Sequence, residues 1–320
     1  MNVSNTSKSS SITAAVETSF LLVHAVIILT GVVGNALVIV VVKTTPSMYT
    51  TTNFLLVNVA VANLFTVIWL IPADGFSFLA PPGGSASDFL CRFFTYNSLP
   101  KLTTAVSGTT FTLIAVERYH AIIKPLRAGR RLTTENVRYV IAGIWFFWCA
   151  ILVPFVIFIK YDENEQNCTE KWSSTLFKNV LLTVLSVTFI TLVGTMVFCY
   201  SNLIKNLYFT KSILPESATA DSDKKSKRKL IKFLVLITIA YLICFAPYIA
   251  SFVQYAIFTT YSPSAHNIVV TMLYGNSSIS PFICAFQSSN YREGFKKILY
   301  GCIKCLPRQQ VEEDQSVQRD

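Results

Sequence analysis

The chain has 320 residues, of which 52% are hydrophobic and only 14% are charged. Its mean hydropathy of +0.50 is too high for a soluble protein of this length, so the sequence predicts a membrane protein. The formal net charge is +10. Most of the positive residues belong to loops on one side of the predicted membrane, where they face anionic lipid, and no nucleic-acid partner is expected.

Seven stretches that lack Asp, Glu, Lys and Arg follow one another along the chain. They cover 18–42, 44–73, 102–116, 139–159, 179–204, 233–265 and 267–291. Nearly all exceed the roughly 20 residues that a helix needs to cross about 30 Å of hydrocarbon. The third is short and is extended upstream, from Phe89 to Pro100. Because backbone groups in lipid must bond within their own segment and strict alternation is absent, the sequence predicts an all-α membrane protein, a seven-transmembrane helix bundle rather than a barrel.

The distribution of basic residues orients these spans. If the N-terminus lies outside, the inner loops and tail hold 21 of the 27 Lys and Arg residues. Cytoplasmic loops carry such an excess, so the sequence predicts a multi-pass protein of the plasma membrane with an extracellular N-terminus. Residues 1–18 lack the charged-then-apolar layout of a cleavable signal peptide, and the first helix is expected to act as its own insertion signal.

We divide the chain into four segments: an extracellular tail over 1–18, the bundle over 19–288, a short amphipathic helix along the inner surface over 289–301, and a cytoplasmic tail over 302–320. Three Asn-x-Ser/Thr triplets lie on the predicted outer side and are expected to be glycosylated, at Asn2, Asn5 and Asn167. Cys302 and Cys305 follow the amphipathic helix directly, where palmitoylation would hold that helix to the membrane.

The eight cysteines separate by their side of the membrane. Four lie inside spans and two are on the cytoplasmic side. Cys91 and Cys168 remain as the pair on the oxidising side, so the sequence predicts a disulfide between them. This bond would tie the loop 160–178 over the outer end of the third helix.

The third span ends in Glu117-Arg118-Tyr119, where the apolar stretch meets a basic loop. Charges at the end of a span are costly unless they pair or reach water, so an acid–base doublet there favours a functional role. An ordinary interfacial anchor is the alternative, since Arg and Tyr both suit the headgroup region. The doublet alone leaves both interpretations open.

Motifs on the other spans favour a functional role for this doublet over an interfacial anchor. They are Gly34-Asn35 with Val38 in the first span, Asn58 to Leu64 in the second, Cys91, Ser107 and Glu117-Arg118-Tyr119 in the third, Ala121 to Leu126 in its exit loop, Trp145 and Pro154 in the fourth, Tyr200 to Ile204 in the fifth, Cys244 to Tyr248 in the sixth, and Asn276 to Cys284 in the seventh. In this order and on these spans the chain resembles the rhodopsin-like (class A) G-protein-coupled receptors, over roughly 19 to 305.

The resemblance implies a cell-surface receptor that activates a heterotrimeric G protein. In that family an acidic neighbour holds the arginine at the position of Arg118 in the resting state, and the arginine meets the G protein when the sixth helix swings out. Pro247 would kink the sixth helix and give it a hinge. The residues expected to form the switch and coupling surface are Glu117, Arg118, Tyr119, Pro125, Leu126, Tyr200, Phe245, Pro247, Ser280 and Pro281. Arrestin, a receptor kinase and membrane lipid are further expected partners.

The chain departs from the family pattern at several positions. Asn63 stands where the second span usually carries Asp, Phe245 replaces a Trp, and Cys284 ends a Ser-Pro-x-x-Cys sequence in place of Asn-Pro-x-x-Tyr. Without the carboxylate, the sodium site of the family is weakened, although Ser107 and Asn276 are present. No other metal is expected.

Two departures concern helix shape. Leu192 stands where a Pro often kinks the fifth helix. Cys91 lies about two residues farther from Arg118 than is customary, with Pro100 between them. We therefore expect the outer end of the third helix to be broken or shifted.

The resemblance also places the ligand site in the outer half of the bundle. Expected contacts are Asp74, Pro100, Lys101, Thr104, Phe245, Tyr248, Phe252, Gln254 and Tyr274. Pro100 occupies the position where receptors for amines usually carry Asp, which disfavours a biogenic amine. We expect a peptide, and the loop 160–178, with four acidic residues against three Lys, would favour a cationic one. The alternatives are a lipid or other small molecule, or no ligand at all, with the receptor signalling constitutively.

Other classes of membrane protein fit less well. A transporter needs ionisable residues near the membrane midplane, whereas Asp74 and Glu117 lie at the ends of spans. A retinal protein needs a Lys near the position of Tyr274, and a channel assembled from several copies would need a polar stripe along one helix. Enzymatic activity and a cofactor are not expected, since the three His residues are scattered without metal spacing, at His24, His120 and His266.

Overall fold

The computed structural model describes residues 3–77, 84–124, 132–165, 167–209, 218–258 and 263–305; within them, the side chains of 3–14, 17, 167, 209, 218–224, 252–258, 263–266 and 302–305 are left undescribed. The helices in these ranges are α1 (Val3–Thr44), α2 (Thr51–Ser77), α3 (Gly84–Leu90), α4 (Ser98–Ile123), α5 (Val137–Ile157), α6 (Thr175–Ile204), α7 (Ala218–Phe258), α8 (Pro263–Gln287) and α9 (Ser289–Cys305). Shorter helical turns cover Pro46–Met48, Cys91–Thr95 and Lys205–Phe209.

Six of the described helices are long and apolar enough to cross a membrane, namely α1, α2, α5, α6, α7 and α8. Helix α4, the third predicted span, is less apolar because it is rich in hydroxyl side chains. It nevertheless lies inside the bundle, in contact with α2, α5, α6 and α7. Its threonine hydroxyls donate to backbone carbonyls one turn earlier, which satisfies them within the helix, at Thr103, Thr109, Thr110 and Thr112.

The chain is broken before α4, as the spacing around Pro100 predicts. Helix α3 passes into a π-helical turn at Cys91–Thr95, and Asn97 then takes a left-handed conformation with φ of 50°. Asn tolerates this region better than most residues do. Pro100 is the third residue of α4, where backbone N–H groups have no acceptor within the helix. The missing N–H of proline therefore costs no helical hydrogen bond.

An antiparallel hairpin covers the end of the bundle that carries Cys91, which we call the disulfide end. Strands β1 (Ile159–Asp162) and β2 (Asn167–Glu170) pair so that Tyr161 lies opposite Cys168. The predicted disulfide between Cys91 and Cys168 is confirmed, with 5.5 Å between the Cα atoms. It ties β2 to the π-helical turn before α4. The cysteines predicted inside spans are unpaired, at Cys149, Cys199, Cys244 and Cys284.

The main hydrophobic core lies toward the opposite end of the bundle, which we call the Arg118 end. Most of its buried residues belong to α1, α2, α4, α6, α7 and α9, with Val137 of α5 and Cys284 of α8. Tyr291 and Phe295 of α9 belong to this core, whereas Arg292 and Lys296 on the other face of the helix are exposed. Helix α9 therefore packs as part of the bundle. Its end at Cys305 and the start of α1 at Val3 extend past the segment boundaries predicted from the sequence.

Candidate functional site

Glu117 and Arg118 form an ion pair at the last turns of α4. Arg118 Nε donates to Glu117 Oε2, and the Thr52 hydroxyl of α2 donates to the same oxygen over 3.4 Å. The Glu117 side chain is 9% exposed and that of Arg118 is 19% exposed. The carboxylate is thus held inside the bundle while the guanidinium keeps access to solvent at the Arg118 end.

Two contacts hold α7 against α6 and the helical turn that follows α6, at the Arg118 end. Tyr200 of α6 and Thr238 of α7 are hydrogen-bonded through their hydroxyls over 3.2 Å, and both side chains are buried. Arg228 of α7 donates through Nε and Nη2 to the Leu207 carbonyl oxygen, over 2.9 Å and 2.7 Å. These bonds must break or stretch if the Arg118 end of α7 moves outward.

Tyr119 does not join the ion pair beside it. Its ring packs against Phe198 of α6, with 5.7 Å between ring centroids, and the Lys124 ammonium lies 5.5 Å above its face. The structure therefore gives Tyr119 a packing role between α4 and α6. Pro125 and Leu126 lie outside the described residues.

Aromatic rings form a column along α7 on both sides of its proline. Phe245 stacks on Tyr241 and on Tyr248, with ring centroids 5.6 Å and 5.8 Å apart, and also contacts Phe189 of α6 at 5.3 Å. Pro247 lies inside the helix between these rings. The column connects the disulfide end, where the ligand was predicted, with the middle of the bundle.

The middle of the bundle is polar but carries no charge among the described residues. Asn63 Nδ2 donates to Asn35 Oδ1 over 3.3 Å, and Asn35 Nδ2 donates in turn to the Ser277 carbonyl over 2.8 Å. Ser107 Oγ and Asn276 Oδ1 are buried without a hydrogen-bond partner. These two oxygens are neutral, and no carboxylate lies beside them among the described residues, so the cost of removing a sodium ion from water is poorly compensated here.

Pro281 and Ser280 of α8 face this polar region. The Ser280 hydroxyl donates to the Asn276 carbonyl over 3.3 Å, one turn earlier. Pro281 packs against Gly34 of α1 so closely that a Cβ atom on Gly34 would lie 2.6 Å from Pro281 Cβ. The glycine therefore allows α1 to approach the proline of α8.

At the disulfide end, Asp74 is held by a histidine that the motifs did not identify. His24 Nδ1 lies 2.9 Å from Asp74 Oδ2, and His24 Nε2 lies 3.0 Å from the Thr271 hydroxyl. The three residues link α1, α2 and α8. His24 and Asp74 are 50 residues apart, so no local pattern indicates this pairing.

The other predicted ligand contacts divide by burial. Tyr274 is buried and donates to Asn97 Oδ1 over 2.6 Å, and Thr104 and Pro100 are buried in α4. Lys101 and Tyr248 are partly exposed, and the Lys101 ammonium lies 5.4 Å above the Tyr96 ring. The side chains of Phe252 and Gln254 lie outside the described residues. The binding role of all these residues stays a prediction.

Ion pairs within the loop 160–178, at the disulfide end, neutralise part of its negative charge. Lys171 Nζ lies 2.9 Å from Asp162 Oδ2, and Lys178 Nζ lies 3.2 Å from Glu170 Oε2. The hydrogen bond from Lys171 lowers the pKa of the Asp162 carboxyl below its ordinary value. Two of the four acidic side chains are thus already paired, which weakens the expected attraction for a cationic ligand.

Comparison with known proteins decides the family. Residues 34–283 match the family of 7 transmembrane receptors (rhodopsin family). The chain belongs to this family. The Allatostatin-A receptor of Bombyx mori is 27% identical over 287 residues, which cover 84% of this chain and 76% of that receptor. The Galanin receptor 2b of Danio rerio is 27% identical over 290 residues, covering 88% and 74%. The QRFP-like peptide receptor of Branchiostoma floridae is 26% identical over 316 residues, covering 92% and 81%.

The receptor is therefore a multi-pass membrane protein with a seven-helix bundle, and it is not an enzyme. The family inferred from ordered motifs is confirmed. The predicted modification sites are not tested, because Asn2 and the side chains of Asn5, Asn167, Cys302 and Cys305 lie outside the described part of the chain.

Proposed function

We propose that the receptor lies in the plasma membrane with its N-terminus outside, binds an extracellular peptide and activates a heterotrimeric G protein. Ligand would enter at the disulfide end, and the G protein would dock at the Arg118 end, on α4, α6 and α7. The 21-to-6 distribution of basic residues supports this orientation.

The ion pair between Glu117 and Arg118 carries the proposal. It lies at the end of a helix that runs through the bundle, and Arg118 stays partly exposed while Glu117 is nearly enclosed. A partly exposed arginine can exchange its carboxylate partner for a protein partner when the neighbouring helix moves. Tyr200 and Arg228, which hold α7 in place, supply the bonds that such a movement would release.

Support for a peptide ligand comes from the relatives and from the shape of the disulfide end. One relative is a QRFP-like peptide receptor and matches 92% of the chain. The hairpin is tied to the turn before α4, and the polar residues Asp74, Lys101 and Tyr248 are partly exposed. A peptide offers amide and side-chain groups for such scattered polar partners. Because two of the four loop acids are paired with Lys inside the loop, we expect no strong preference for a cationic peptide.

The exposed basic face of α9 suits membrane lipid as a further partner. Arg292, Lys296 and Lys297 are exposed on the side opposite the buried Tyr291 and Phe295. Basic residues at this level attract anionic lipid of the cytoplasmic leaflet. Arrestin and a receptor kinase would share the same end of the bundle.

The proposal is tested by replacing Arg118 and measuring second messengers in transfected cells exposed to a neuropeptide library. Arg118→Ala should lower peptide-driven output at least about tenfold while surface level stays near that of the wild type, because the residue contributes to coupling more than to folding. Arg138→Ala is the matched control, since Arg138 is an exposed arginine near the same end. Normal output in Arg118→Ala, or equal losses in both variants, would contradict the proposal.

A further inference from the structure

Strand β1 has an outer edge that its partner strand does not pair. In an antiparallel pair, alternate residues turn their N–H and C=O groups away from the partner, and such a row is ready to pair with another chain. The Ile159 carbonyl and the Tyr161 N–H belong to this outer row, since both bond to side chains outside the hairpin. The edge of β1 is therefore covered by side chains rather than by a strand.

An acid and a base before α4 take the place of a neighbouring strand. Asp88, near the end of α3, accepts from the Tyr161 N–H through Oδ1 over 2.8 Å. Arg92, in the π-helical turn, donates through Nε to the Ile159 carbonyl oxygen over 3.0 Å. A strand would offer one acceptor and one donor to the same two groups. We call Asp88 and Arg92 the edge clamp.

The two side chains of the edge clamp also hold each other. Arg92 Nη2 lies 3.7 Å from Asp88 Oδ2, and the two residues are four positions apart. Each side chain thus uses one atom for the strand and another for its partner. Hydrogen bonds that involve an ionised group are stronger than those between neutral groups. The clamp therefore closes a ring through two positions of β1, which fixes both the place and the direction of the strand.

The disulfide holds the other strand of the hairpin. Cys91 lies between the two clamp residues in the chain and is bonded to Cys168 of β2. The Tyr96 hydroxyl donates to the Cys168 carbonyl oxygen over 3.4 Å, at the same position of β2. A covalent link at one position leaves rotation about its single bonds, whereas the clamp binds β1 at two positions. The orientation of the hairpin therefore depends on the clamp as well as on the disulfide.

We infer that Asp88 and Arg92 are positioning residues of the proposed peptide site. They hold β1 through its backbone, and β1 in turn places the hairpin at the disulfide end. Their effect reaches a peptide through the hairpin, so neither side chain has to touch it. The inference rests on the proposed function, because the disulfide end is where the peptide would enter.

Amide hydrogen exchange in the purified receptor, without any peptide, tests the clamp. Asp88→Ala removes the acceptor of the Tyr161 N–H, so exchange over 159–162 should become about tenfold faster or more. Asp88→Asn keeps a side-chain oxygen and should restore most of the protection. Arg92→Ala should have a smaller effect, because its lost bond is to a carbonyl. Lys171→Ala is the matched control and should exchange like the wild type, since the ion pair of Lys171 lies inside the hairpin.

Peptide-driven second-messenger output in cells tests the positioning role. The probe is the neuropeptide of the library that activates the wild type at the lowest concentration. Asp88→Ala and Arg92→Ala should raise its half-maximal concentration about tenfold, with maximal output and surface level unchanged, because a displaced hairpin weakens binding. Asp88→Asn and Lys171→Ala should stay near the wild type. A role confined to folding would instead lower surface level and maximal output at an unchanged half-maximal concentration.

The outcomes separate the clamp, its role and the proposed function. Unchanged exchange in Asp88→Ala, or equally fast exchange in Lys171→Ala, would overturn the clamp. Faster exchange with an unchanged half-maximal concentration would overturn the positioning role. If Asp88→Ala does not reach the surface, Arg92→Ala decides in the same two measurements. A library without any active peptide would contradict the proposed function, and exchange alone would then decide whether the clamp holds β1.

Discussion

Asn63 leaves the middle of the bundle without a charged side chain at the position where the family usually carries Asp. Its amide donates to Asn35, and both side chains are buried. A neutral oxygen does not compensate for removing a monovalent cation from water in a low-dielectric interior, whereas a carboxylate does. The sequence predicted the missing charge, and the structure adds that the amide is already bound to a neighbouring helix.

We expect Asn63→Asp to create a response to sodium. A cation that binds only the folded receptor raises its stability with concentration, so the melting temperature of the variant should rise by a few degrees in sodium relative to a bulky organic cation at equal ionic strength. The wild type should melt at the same temperature in both salts. Asn58→Asp, in the same helix and also buried, is the control and should not respond. A clear sodium effect in the wild type would contradict the expectation.

At the scale of elements, the hairpin depends on one covalent bond. Cys91 and Cys168 are 77 residues apart, and cross-linking a loop of this length removes unfolded-state entropy worth about 4–5 kcal/mol. The ion pair between Lys171 and Asp162 lies on a surface and contributes far less. The disulfide is therefore the main connection between the hairpin and α4.

Replacing either Cys91 or Cys168 should remove the same covalent connection between the hairpin and the turn before α4. Cys91→Ala and Cys168→Ala should lower the melting temperature and surface level to a similar degree, and the double variant should be little worse than either. Additive losses would mean that the two residues act separately. Cys149→Ala is the control, since Cys149 is unpaired and only partly buried in α5, and it should have little effect.

Helix α9 is fixed to the bundle by a close approach and a hydrogen bond. A Cβ atom on Gly294 would lie 2.5 Å from Val41 Cγ1 of α1. The Tyr291 hydroxyl donates to Asn53 Oδ1 at the start of α2 over 3.2 Å. Together these contacts hold the helix where its basic face reaches the predicted inner surface.

Gly294→Ala should lower the melting temperature even though alanine favours helices. Overpacking lowers the stability of the fold by about 1–3 kcal/mol, whereas the better helix propensity of alanine raises it by at most about 1 kcal/mol. Adding Val41→Ala should restore much of the loss. Gly301→Ala is the control, because a Cβ atom there meets nothing within 4 Å. Unchanged melting of Gly294→Ala would mean that α9 docks more loosely than the structure indicates.

At the scale of the whole molecule, orientation is the open prediction. The charge asymmetry predicts an outer N-terminus and an inner C-terminus. Epitope tags at both ends should be distinguished by antibody staining, with only the N-terminal tag visible on intact cells and both visible after permeabilisation. A tag inserted in the loop 160–178 is the control and should also stain intact cells. Staining of the C-terminal tag on intact cells would reverse the topology.

The sequence by itself determined the features that depend on composition and order along the chain. Stretches of spanning length predicted the helices because backbone groups in lipid must bond locally. The predicted side of the membrane on which each cysteine lies left Cys91 and Cys168 as the disulfide pair. The longer distance from Cys91 to Arg118, with Pro100 between them, predicted the break before α4. The family followed from motifs that are individually weak but correctly ordered.

Only the tertiary structure decided which side chains meet. His24 reaches Asp74 over 50 positions, Tyr241 reaches Thr104 over 137, and Tyr291 reaches Asn53 over 238. Periodicity and hydropathy describe neighbours within a segment, whereas these contacts depend on how helices pack side by side. Gly294 illustrates the difference, since this glycine has no evident role until the Val41 side chain that packs against it is seen.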